Sequence, residues 1–111
     1  MEILIQPEGD VTVLTLKGKL DAVTAPAFEQ KFCAVVDSGS TRLVVDLTGV
    51  EYLSSAGLRA LLLLNKRVKA NAGRVCLAGV QGIVRSVFEM SGFTSIFDVR
   101  DSAAAALATF R

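Results

Sequence analysis

Two short unbroken apolar runs, Leu43-Val44-Val45 and Val75-Cys76-Leu77-Ala78, constrain this chain more than any other feature. A strand with one wet face alternates apolar and polar residues. An unbroken run instead fits a central strand covered on both faces. Stretches with helical spacing of apolar residues lie between and around these runs. Strands that alternate with helices point to an α/β layered fold. A length of 111 residues fits one domain over residues 1–111 and is enough to bury a core without staples.

The elements can be placed in turn. Ile3 and Ile5 suggest a first strand closed by Pro7 and a Gly9-Asp10 turn. Val11, Val13, Leu14 and Leu16 suggest its hairpin partner. Gly18-Lys19-Leu20-Asp21 leaves that strand. A helix follows, with Thr24 as N-cap, Pro26 in the first turn, and Phe28, Phe32, Val35 and Val36 on one face. Asp46 ends the Leu43–Val45 strand, and a loop over Thr48–Leu53 leads to Ser54-Ser55-Ala56-Gly57 and a helix reaching about Asn71. After the second apolar run, Ile83, Val84, Val87, Phe88 and Ser91 mark one face of a third helix, with Gly92 as its C-cap. Ile96, Phe97 and Val99 suggest a last strand. Ser102 can cap a final Ala-rich helix anchored by Leu107 and Phe110. The order is β-β-α-β-α-β-α-β-α, about five strands and four helices. Function in such sheets gathers at strand carboxyl ends, and Asp21, Asp46 and Ser55 are expected on loops at or near such ends.

Composition narrows the function. Twelve basic and eleven acidic residues give a net charge of +1, with no Lys/Arg run and no Trp, so a nucleic-acid footprint is not expected. The start of the chain does not read as a signal peptide, and the longest apolar runs are too short to cross a bilayer, so a cytoplasmic location without membrane contact is expected. There is no His, which argues against a zinc site, any other metal site of that type, or a His-based triad. Cys33 and Cys76 read as small core residues rather than a redox pair. No glycine-rich phosphate loop points to a cofactor, and none is expected.

The Ser54-Ser55 pair carries the sharpest signal. One of the two should cap the helix that follows. A helix start also favours a negative group, by roughly 0.3–1 kcal/mol, through its free N–H groups and its dipole. Ala56 and Gly57 keep the first turn sterically open to a partner. A phosphate on Ser55 could rest there and pair with Arg59 four residues on. At about 100° per residue, Gly57, Leu61, Leu64 and Val68 share the core face and Arg59 and Lys66 lie opposite. Leu62 and Leu63 flank the polar pair; they are either buried under neighbouring elements or form an apolar contact patch continuous with Ser55.

The stretch Val45-Asp46-Leu47-Thr48-Gly49-Val50-Glu51-Tyr52-Leu53-Ser54-Ser55-Ala56-Gly57-Leu58 resembles the signature of STAS domains, in particular the bacterial anti-sigma factor antagonists. Gly18-Lys19-Leu20-Asp21 with Thr24-Ala25-Pro26 resembles that family's first conserved block. The resemblance implies the STAS fold, with a mixed, mostly parallel central sheet. It implies a protein that binds an anti-sigma factor serine kinase of the GHKL type and thereby releases a sigma factor. By position in the motif, phosphorylation by that kinase falls on Ser55, with Ser54 as second choice; the phosphate weakens the complex and a PP2C-type phosphatase removes it. The implied partner-binding residues are Asp21, Thr24, Asp46, Ser54, Ala56, Gly57, Arg59, Leu62 and Leu63, on a monomer or weak dimer. The commonest signature has Asp before the phosphorylated serine and Ser or Thr after it; here those positions hold Ser54 and Ala56.

Other readings compete. A serine hydrolase needs a base near its nucleophile, and only Lys17 and Lys19 are candidates by topology, so no enzyme is expected. A phosphoacceptor receiver built on Asp46 lacks an acidic pair after the first strand. The main alternative is a STAS signalling module in a partner-switching pathway that does not involve a sigma factor.

Overall fold

The computed structural model describes residues 1–111. Its elements are β1 (Glu2–Glu8), β2 (Val11–Leu20), α1 (Ala25–Asp37), β3 (Arg42–Leu53), α2 (Ser55–Ala70), β4 (Arg74–Ala78), α3 (Gly82–Ser91), α4 (Phe93–Ile96), β5 (Asp98–Arg100) and α5 (Ala103–Ala108). The five strands form one sheet in sequence order. β1 pairs antiparallel with β2 through the Gly9-Asp10 turn, and β2, β3, β4 and β5 are parallel.

That order fixes the layers. Right-handed crossovers that always step in the same direction place their helices on one face of the sheet. Accordingly Phe28 and Phe32 of α1, Leu61, Leu64 and Val68 of α2, and Val84 and Phe88 of α3 meet Leu14, Leu16, Leu43, Val45, Leu47, Val75 and Leu77 in one core. The alternate residues Val11, Val13, Val44, Cys76 and Ala78 face the other way and are covered by Ala106 of α5. The apolar runs at Leu43 and Val75 are unbroken because β3 and β4 are sandwiched on both sides.

Four expectations need correction. Thr48–Leu53 is not a loop but the second half of β3. It pairs with Lys17–Leu20 of β2, and β3 accommodates an extra residue at two irregularities, between the partners of Thr15 and Lys17 and between those of Gly18 and Lys19. Asp46 therefore lies within β3, opposite Ala78, where β4 stops. Ile96 and Phe97 do not begin the last strand. Phe93 and Phe97 both turn inward against Phe88, with ring centroids 5.6 and 6.3 Å away, and a four-residue spacing that brings two rings to one side is helical. A short fifth helix, α4, results, and β5 shrinks to three residues. Ile83, assigned to the buried face of α3, is instead 68% exposed, while Val84 and Phe88 carry that face.

Candidate functional site

The carboxyl end of β2 and the start of α2 are one structural unit. β2 and β3 end together, Leu20 opposite Leu53. The Ser54 N–H donates to the Leu20 carbonyl at 3.0 Å, so the two chain segments turn away from the sheet side by side. Gly57 is buried directly over this junction. A Cβ at Gly57 would stand 2.5 Å from the Leu20 carbonyl oxygen and 2.7 Å from Leu53 Cδ1. The glycine is what lets the first turn of α2 rest on the end of β2. Expected on the partner surface, Gly57 is an internal contact instead.

Ser54 is the N-cap. Its backbone is extended and its Oγ accepts from the Gly57 N–H at 3.3 Å. Ser55, the first helical residue, is exposed, and its hydroxyl enters no hydrogen bond within the chain. The Ser55 and Ala56 N–H groups also lack partners, as expected at a helix start. Ser54 therefore spends its oxygen on the helix while Ser55 offers a free one beside two free donors. Arg59, one turn further, is exposed and makes no ion pair.

The β2–α1 connection forms the other wall. Asp21 Oδ1 accepts from the backbone N–H of Val23 at 3.0 Å and of Thr24 at 3.1 Å. Thr24 Oγ1 donates to the Lys19 carbonyl at 2.8 Å and accepts from the Asp21 N–H at 3.0 Å. Thr24 stands at the N-cap position of α1, yet its side chain caps nothing there; it ties the turn back to β2. The Thr24 N–H bond, foremost, holds the Asp21 carboxyl below its ordinary value, helped by the Val23 N–H, the Thr24 hydroxyl and the Lys19 charge, against a desolvation penalty. The turn thus presents a fixed negative charge, and it holds Val23 out at 86% exposure.

The remaining candidates divide. Leu62 lies at about −20° from Ser55 around the helix axis and is half-buried against the main core. Leu63 is 45% exposed and lies about 80° away. It shares the side of α2 that carries Arg67, which bonds Asp37 of α1 at 2.9 Å. The two leucines are therefore not one patch. Asp46 is not at this junction: it lies seven residues before Leu53, beyond both irregularities of β3. Its Oδ1 accepts from the Thr48 N–H at 3.0 Å and hydroxyl at 2.6 Å, a local tie within the strand. Sequence reasoning missed Val23 and Tyr52, exposed at 86% and 46% and flanking the junction; their exposure depends on the turn and on the β3 extension, neither of which is written in hydropathy.

Residues 2–106 match the family model described as the STAS domain. The chain belongs to the STAS domain family. Among its relatives, a presumed anti-sigma factor antagonist of Bordetella bronchiseptica, BtrV, is 38% identical over 111 residues, covering 100% of this chain and 96% of that protein. Among solved structures, a crystal structure of an anti-sigma factor antagonist from Mycobacterium paratuberculosis is 30% identical and superposes with a TM-score of 0.89, covering 97% of this chain and 92% of the other. The Bacillus cell fate determinant SpoIIAA, in its phosphorylated form, has a TM-score of 0.78 at 20% identity, covering 99% of this chain and 100% of that one, a likeness of fold. In this STAS domain no helix is long and apolar enough to cross a membrane.

Proposed function

We propose that this STAS domain is an anti-sigma factor antagonist, a binding switch rather than an enzyme, set by phosphorylation of Ser55. In this reading the unmodified domain docks an anti-sigma factor serine kinase of the GHKL type against the Leu20–Ser54 junction and frees a sigma factor. Transfer of a phosphate to Ser55 weakens the complex, and a PP2C-type phosphatase restores it. The names of the relatives support the class. The observation that carries the site is the division of labour between the two serines: Ser54 Oγ caps the helix and Ser55 Oγ is exposed and unbonded.

The electrostatics support the sign of the switch. A phosphoserine adds about −1.5 to −2 charges. The free N–H groups of Ser55 and Ala56 and the Arg59 guanidinium can neutralise part of that charge, so the domain stays folded when modified. Asp21, held ionised by its turn, lies on the same junction. A partner that seats against this surface unmodified must then face the sum of both charges. Asp21, Thr24, Ala56, Arg59 and Leu62 are the contacts this reading assigns around Ser55; Asp46 and Leu63 belong to it only if the partner extends well past the junction.

The test is phosphorylation by the cognate kinase with ATP, followed by mass spectrometry. One phosphate on the wild type and none on Ser55→Ala supports the assignment. An equal gain on Ser55→Ala, lost on Ser54→Ala, moves the switch to Ser54.

A further inference from the structure

The face of the sheet away from α1, α2 and α3 is covered by α5 alone. Ala106 is the one fully buried side chain of that helix, set over Val11, Val13, Val44, Cys76 and Ala78, and Leu107 and Phe110 are half-buried beside it. So little apolar area on an Ala-rich helix of six residues is a weak attachment.

The far end of this segment is instead gripped by two arginines. Arg42 and Arg74 are register partners at the starts of β3 and β4, and like charges so placed repel. Both guanidiniums turn to the segment. Arg42 Nη2 donates to the Phe110 carbonyl at 2.6 Å, and Arg74 Nη2 donates to the Thr109 carbonyl at 2.7 Å and to its hydroxyl at 3.0 Å. Arg74 also lies 3.9 Å and Arg42 5.4 Å from the centre of the Phe110 ring. Asp10 and Asp98, each 3.2 Å away, balance the pair.

The grip is imperfect. A concavity of about 350 Å³ opens on one side of Phe110, by Gly73 and Arg74, and another of about 220 Å³ on the other, by Asp10 and Leu107. Arg42 Nε is buried without a hydrogen-bond partner.

We propose that residues 102–111 form a clamped cover that opens as a unit while the rest of the domain stays folded, with Arg42 and Arg74 setting how often it opens. Cys76 is the reporter that the fold supplies. In the closed form it is wholly buried beneath Ala106, and burial pushes its thiol pKa up, so it is inert on two counts. Opening removes Ala106 and returns the thiol to water. A group added at Sγ then leaves no room for Ala106, and the modified domain stays open.

The experiment alkylates the full chain with iodoacetamide under native conditions and follows Cys33 and Cys76 separately by mass spectrometry. At each site the thiolate displaces iodide to form an S–C bond and the thiol proton goes to solvent. In the wild type, Cys76 reacts with a denaturant dependence much shallower than that of global unfolding. In Arg74→Ala and Arg42→Ala it reacts at least about tenfold faster, each variant losing one or more charge-assisted hydrogen bonds to the segment, while half-exposed Cys33 stays within about twofold. Circular dichroism melts establish that the variants are folded, and the wild-type denaturant series stands whether or not they are. A wild-type Cys76 rate that tracks global unfolding overturns the proposal. So do folded variants that leave the Cys76 rate unchanged.

Discussion

Ser54 donates its N–H to the carbonyl of Leu20 at 3.0 Å, and this bond carries the β2–β3 pairing past its last register pair, between the two sequence blocks that carry the STAS resemblance. Residues 21–53, with α1 and β3 among them, separate Leu20 from Ser54 along the chain. Parallel pairing of β2 and β3 up to Leu20 and Leu53 brings them together. Ser55 and the Asp21 turn are therefore placed by sheet register, not by local sequence.

The tightest consequence concerns Gly57. A methyl group there would meet the Leu20 carbonyl oxygen at 2.5 Å, and main chain cannot swing aside as a flexible side chain can. Gly57→Ala is expected to destabilise the domain by about 2 kcal/mol or more despite the better helix propensity of Ala. Urea unfolding checks it, and the loss should appear in the midpoint with little change in slope.

Ser54 and Ser55 should separate cleanly in stability. Ser54→Ala removes the cap and should cost about 0.5–1 kcal/mol, the low end because its bond to the Gly57 N–H is long at 3.3 Å. Ser55→Ala removes an unbonded, exposed hydroxyl and should change stability by less than about 0.5 kcal/mol. The same urea series on both variants decides the matter.

Asp21 has a pH signature. Its folded pKa lies below the ordinary value, chiefly through the Thr24 N–H, so its contribution to stability is present above the unfolded carboxylate value of about 3.9 and is lost as pH falls through the folded one. Asp21→Asn should therefore be less stable than wild type at neutral pH, and the gap should close in acid, where the wild-type carboxyl is also neutral. Thermal melts of the two proteins between neutral and strongly acid pH measure it.

On the helix side, Arg67 and Asp37 link α2 to α1 at 2.9 Å, but both are largely in water. Arg67→Ala should cost no more than about 1 kcal/mol, and the difference should shrink in high salt. Double-mutant analysis with Asp37→Ala isolates the pair.

The sandwiched strands were legible because burial on both faces leaves a direct mark, the runs Leu43–Val45 and Val75–Ala78. A cap from the Ser54-Ser55 pair, the Gly92 stop and the Ser102 cap were legible because each depends on a local bond. The second half of β3 was not. Thr48-Gly49-Val50-Glu51-Tyr52 mixes polar residues and a glycine, and only the partner strand β2 makes it a strand. The helical turn at Phe93–Ile96 was hidden for a similar reason: Phe, Ile and Val suit strands, and the tertiary demand of two rings on Phe88 prevailed over that propensity. At the site, helix-start chemistry marked the Ser54-Ser55 pair as the source of the cap, and Ser54 fills that role. The displacement of Asp46 from the site was not legible, because it follows from how far β3 runs beyond β4.

The central claim is that charge on Ser55 opens a complex made by the unmodified surface. Isothermal titration of the cognate anti-sigma kinase with wild-type domain, with domain phosphorylated at Ser55, and with Ser55→Ala tests it most directly. The account predicts tight binding by wild type and Ser55→Ala, and at least about tenfold weaker binding by the phosphorylated form, a coupling of about 1.4 kcal/mol. Equal affinity of the phosphorylated and unmodified domains would contradict it.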